Sequence, residues 1–102
     1  MAAIDLQAIN TFPHYKIISS VSHTAMQEIK VPLQATKCSI GSKNAFKVAQ
    51  NGASDGAAVP ANYAFGVANN YIEHVLQKGL SRAQSIFVSG DSGSVDIYLI
   101  FE

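Results

Sequence analysis

The residues able to do chemistry in this 102-residue chain are few: Ser92 in an acid- and glycine-flanked run, three histidines, one cysteine and scattered tyrosines and asparagines. Ser92 lies in Gly90-Asp91-Ser92-Gly93. A serine acts as a nucleophile only when a histidine base and an orienting carboxylate are held beside it. His14, His23 and His74 are far apart in sequence, and their spacing fits no short metal-ligand motif. Cys38 is the single cysteine, so the chain makes no internal disulfide and no Cys-rich zinc site. Its position within a strand pattern makes it a small buried hydrophobe. These residues assign no catalytic, cofactor or metal site, and the chain is expected not to be an enzyme.

The Gly-Asp-Ser-Gly run resembles the surroundings of the nucleophile in trypsin-like serine proteases. The resemblance stops there. His23 lies in Ser-His-Thr-Ala-Met, unlike the histidine run of that family, and the two β-barrels of such enzymes need a longer chain. A turn is the simpler reading, because Asp, Ser and Gly are preferred there for backbone reasons. Lys37, Lys43 and Lys47 form a modest basic cluster suited to an acidic partner, or else solvated strand and turn positions. Tyr63, Phe65 and Tyr71 offer an aromatic platform for a sugar, although alternating aromatics are more often core. No paired carboxylates accompany them, which removes the case for glycoside hydrolysis.

Composition narrows the partners. Seven basic and seven acidic residues give zero formal net charge, and only 14% of the chain is charged. A nucleic-acid binder needs a basic face, so nucleic acid is not an expected partner. Low charge near neutrality favours association, and a homo-oligomer is expected. The opening residues have no basic start and no long apolar run, so no secretory signal is expected. No stretch has the ~20 apolar residues of a membrane helix, and no membrane partner is expected.

The elements that must position these residues read as strands. Ser85 to Phe101 organises the chain: Ile86, Phe87 and Val88, a polar turn, then Val95, Ile97, Leu99 and Phe101 two apart. The second run puts four large apolar side chains on one face, which predicts a core strand, and the whole stretch predicts a hairpin. Earlier strands are predicted at Tyr15–Ser22, Gln27–Leu33 (ending or at an edge because of Pro32), Thr36–Ser42, Ala45–Gln50 and Tyr63–Val67. Tyr71–Lys78 fits both helical and strand spacing, and its strand neighbours favour strand. The Asn51–Asn62 stretch, rich in Asn-Gly, Asp-Gly and Pro60, predicts a long loop. Seven or eight short strands in one domain predict an all-β fold, an antiparallel β-sandwich or jelly-roll-like barrel with at most one short helix. Residues 1–14 are short on pattern and read as an N-terminal arm, one that either packs loosely on its own domain or reaches a neighbouring subunit, with residues 15–102 as the sandwich domain.

From Gln27 onward the order of events is Ile-Lys-Val-Pro-Leu, the strands Ala-Thr-Lys-Cys-Ser-Ile-Gly-Ser and Ala-Phe-Lys-Val-Ala-Gln, a Gly/Ala/Ser-rich loop, a short apolar stretch and a closing Val-Asp-Ile-Tyr-Leu-Ile-Phe. This order resembles the small β-sandwich structural proteins of tailed-bacteriophage virions, such as capsid decoration (cement) and head or tail accessory proteins. The resemblance implies a non-enzymatic protein made in the host cytoplasm and placed on the capsid surface. It also implies an oligomer, often a trimer, that binds the major capsid protein or other virion proteins and stabilises the shell. Tyr98 and Ile100, on the second face of the core strand, are the candidate subunit interface, and Ile4, Leu6 and Ile9 are the candidate shell-contact arm. The alternative is a small carbohydrate-binding or adhesion module built on the Tyr and Asn residues around Asn62–Tyr71.

Overall fold

The computed structural model describes residues 3–49, 63–75 and 85–102. Their secondary structure is β throughout, with no helix. The strands are β1 (Ile4–Asp5), β2 (His14–Val21), β3 (Gln27–Lys30), β4 (Lys37–Ser42), β5 (Phe46–Ala49), β6 (Ala64–Gly66), β7 (Tyr71–Val75), β8 (Ser85–Gly90) and β9 (Val95–Phe101). They form a five-stranded sheet, β1-β3-β8-β5-β6, and a four-stranded sheet, β2-β9-β4-β7. The Asn51–Asn62 loop and residues 76–78 lie outside the described residues.

From β2 to β9 the pairing follows one rule. The first strand pairs with the last, β2 with β9; then β3 pairs with β8, β4 with β7 and β5 with β6, all antiparallel. The chain is therefore one long hairpin, with β5–β6 at its tip, rolled so that β9 also meets β4 and β8 also meets β5. That is the strand order of a jelly roll. Rolling closes the inner faces of the two sheets around the main core, because the apolar face of a sheet must be buried.

Val95, Ile97, Leu99 and Phe101 all point into this core, as their spacing predicts. Ile18, Val21, Cys38 and Ile40 join them from the same sheet; Ile29, Phe46, Val48, Ile86 and Val88 face them from the other. Burial pushes the Cys38 thiol up from 9.0 to about 12.

Two expectations are corrected. Ser85–Phe101 is not a hairpin, because β8 and β9 belong to different sheets. The Gly90–Gly93 turn is a corner between the layers, so tight that a Cβ on Gly90 would stand 2.0 Å from the Gly93 carbonyl oxygen. A local run of turn residues is the same whether the chain reverses within a sheet or steps to the facing one.

The N-terminal segment is not a free arm, and the domain does not start at residue 15. Ile4 and Asp5 pair in parallel with Ile29 and Lys30, and the Leu6 N–H donates to the Lys30 carbonyl at 2.9 Å. Leu6 is buried in the core, with Ile4, Ile9 and Phe12 packed against it. The segment therefore packs on its own domain, with Leu6 in the core and Ile4, Ile9 and Phe12 partly buried against it.

Candidate functional site

The candidate surface is the outer face of the four-stranded sheet. Register sets it out in two rows. Ile17 pairs with Tyr98, Tyr98 with Gly41 and Gly41 with Tyr71. Beside it, Tyr15 pairs with Ile100, Ile100 with Ser39 and Ser39 with Glu73. A sheet face turned to water normally alternates to polar side chains. Here Tyr15, Ile17 and Tyr71 are 69%, 58% and 55% exposed, with Tyr98 and Ile100 half-buried between them.

Gly41 explains how Tyr71 is held. A Cβ at Gly41 would stand 2.8 Å from two Tyr71 ring carbons and 3.0 Å from a third. Near-equal distances to three adjacent ring atoms place the ring face-on over the glycine, its other face turned outward. The same cross-strand device recurs in the core, where Phe46 covers Gly66.

Tyr71 and Tyr98 divide the face into two hollows. One, about 280 Å³, continues over Tyr15, Ile17 and Ile100 and is mainly apolar. The other, about 240 Å³, is lined by Ser42, Lys43, Asn69, Asn70, Tyr71 and Tyr98. Asn69 takes the left-handed conformation, with φ of 64°, and its N–H donates to the Ser42 carbonyl at 2.8 Å. The Asn70 N–H donates to Val67 at 3.2 Å, so the turn that carries both amides is pinned to the end of β4.

The other candidates are dispersed. Lys37 pairs with Glu73 and Glu102, each at 3.6 Å, on one sheet. On the other sheet Lys47 meets Asp91 at 3.5 Å and lies 4.9 Å from the Tyr63 ring centroid. The basic cluster of Lys37, Lys43 and Lys47 therefore does not form. Tyr63 and Phe65, both exposed, flank the β6 edge of the five-stranded sheet, whereas Tyr71 is on the four-stranded one, so they are neither core nor one platform. His14 begins β2, His23 follows it and His74 lies in β7. Among the described residues no three His, Cys, Asp or Glu side chains gather to hold a metal. Ser92 is exposed, in a polar hollow shared with Asn44, Ala45, Gly93, Ser94 and Val95, and none of the described residues that line it carries an imidazole.

Sequence reasoning places Tyr98 and Ile100 on the second face of their strand and does not single out Tyr15 and Ile17, their partners across the β2–β9 pair. The alternation Tyr15, Ile17 was visible in the sequence, but a strand with apolar residues on both faces does not declare which face is outside. Comparison of the chain with family models, with curated proteins and with solved structures found no match.

Proposed function

We propose that this chain is a non-enzymatic structural protein of a tailed-bacteriophage virion, a capsid decoration protein that attaches to the shell and to copies of itself. The observation that carries the reading is the apolar outer face of the four-stranded sheet, centred on Tyr15, Ile17, Tyr98 and Ile100. Jelly rolls serve as capsid and lectin domains alike, so the fold enters only as analogy.

Size decides how such a face works. Four strands about 4.8 Å apart and five residues of about 3.4 Å rise cover roughly 300 Å². That is well under the ~800 Å² per partner of a standard stable interface. One contact of this kind is weak. Many copies arrayed on a shell sum weak contacts through effective concentration, which is the regime a decoration protein occupies. The major capsid protein and a second copy are the partners; a three-fold assembly follows from the resemblance alone.

Sedimentation velocity over a range from low micromolar to hundreds of micromolar tests the reading. Reversible self-association is expected, and an Ile17→Ser, Ile100→Ser double variant should stay monomeric with an unchanged melting temperature. A wild-type chain monomeric at every concentration would sink the proposal.

A further inference from the structure

The hollow beside Tyr71 has a different character from the rest of the face. At about 240 Å³ it is smaller than the ~300–1,000 Å³ of pockets for drug-sized ligands, and it has room for a single ring-sized group. Its wall is aromatic and its rim is polar. The Tyr71 ring is laid flat by Gly41 with one face open, a surface that carries the negative end of the ring quadrupole and accepts polarised C–H groups. Asn69 and Asn70 each bring an amide that both donates and accepts, the pairing that vicinal hydroxyls require. Among the described residues neither amide side chain, nor the Lys43 ammonium, has a hydrogen-bond or ion-pair partner. Among the described residues Lys43 is the one charged residue in the lining, with no carboxylate beside it there.

We infer that this hollow binds the terminal residue of an acidic saccharide, a sugar ring bearing a carboxylate. The ring stacks on Tyr71, its hydroxyls pair with Asn69 and Asn70, and its carboxylate pairs with Lys43 by a charge-assisted hydrogen bond. The pinned Asn69–Asn70 turn is already in place, so little ordering opposes binding. The inference does not depend on self-association. The assembly contact is centred on Tyr15, Ile17 and Ile100, which line the other hollow and not this one; Tyr71 and Tyr98 border both.

The test is titration of the ¹⁵N-labelled protein with glucuronate-terminated and sialylated oligosaccharides, and with lactose as the neutral control. Acidic probes should shift the side-chain amide signals of Asn69 and Asn70, and lactose should bind at least about tenfold more weakly, the scale of one hydrogen bond to a charged group. Lys43→Ala, at an exposed position, should remove that preference while the fold and sedimentation stay unchanged. The Ile17→Ser, Ile100→Ser variant should bind the acidic probes as the wild type does, which separates this result from the assembly reading. No shift with any probe, equal binding of lactose, or a preference that survives Lys43→Ala would each overturn the inference.

Discussion

Two glycines lie under aromatic rings, and adding one methyl group to each should have unequal consequences. At Gly66 a new Cβ would stand 2.3 to 2.5 Å from three atoms of the Phe46 ring. Carbon atoms pack at about 3.5–4.0 Å, so the ring would have to retreat by more than 1 Å. Phe46 has no exposed surface and nowhere to go. Overpacking a tight core costs about 1–3 kcal/mol, and replacing a strand glycine returns about 0.5–1 kcal/mol of backbone entropy. With backbone and ring both fixed, Gly66→Ala should lie at the top of that range, a net loss of about 2 kcal/mol. For a domain of this size that lowers the melting temperature by about 8–16 °C. At Gly41 the clash is with Tyr71, which is 55% exposed and swings into solvent by a χ1 rotation. The entropy gain then offsets the lost ring contact, and Gly41→Ala should stay within about 0.5 kcal/mol of the wild type, as for ordinary surface changes. Urea unfolding followed by far-ultraviolet circular dichroism measures both. In a Gly41→Ala protein of normal stability, saccharide binding should weaken because the platform is no longer flat. A Gly66→Ala protein as stable as the wild type, or a Gly41→Ala protein that loses more than about 2 kcal/mol, would refute the reasoning that exposure of the covering ring sets the cost.

Further expectations follow from the core. Leu99→Ala should cost about 2–5 kcal/mol in denaturant unfolding, because Leu99 is 1% exposed at the centre of β9; a cost below 0.5 would place it on the wrong face. Deleting residues 2–13 removes Leu6 from the core together with Ile4, Ile9 and Phe12, so the truncated chain should lose its cooperative melt; a normal melt would restore the free arm. Cys38 should not react with Ellman's reagent at pH 8 in the native protein and should react fully in urea, since burial holds its thiol up at about 12. The same shift has a pH sign. The native state retains that proton where the unfolded state, with its value of 9.0, releases it, so the contribution is complete below pH 9 and is lost as pH rises toward 12. A titration curve flat across that window would show the thiol to be solvated.

The amino-acid sequence by itself determined where β2 to β9 lie and which face of the best-patterned strand is inside. The β9 spacing of Val95, Ile97, Leu99 and Phe101 is a property of neighbours two apart, and no partner is needed to read it. The same holds for the end of β3 before Pro32, which has no N–H to donate. It also holds for Tyr98 and Ile100 as the residues left over on the outer face.

Only the tertiary structure decided what each strand pairs with. Tyr15 meets Ile100 across almost the whole length of the chain, and no local pattern encodes a pairing at that separation. The sheet order therefore came from rolling the long hairpin, and it turned the expected β8–β9 hairpin into a corner between layers. It also drew Ile4 and Leu6 into the sandwich, where the segment carrying Ile4, Leu6, Ile9 and Phe12 found an open edge at β3. The candidate site is of this second kind. Gly41 and Tyr71 are thirty positions apart by number, and the ring becomes a platform only because register sets it opposite the one residue of β4 without a side chain. Alternation is a local consequence of backbone geometry, whereas register is a global outcome of closing one core, and the candidate face belongs to register.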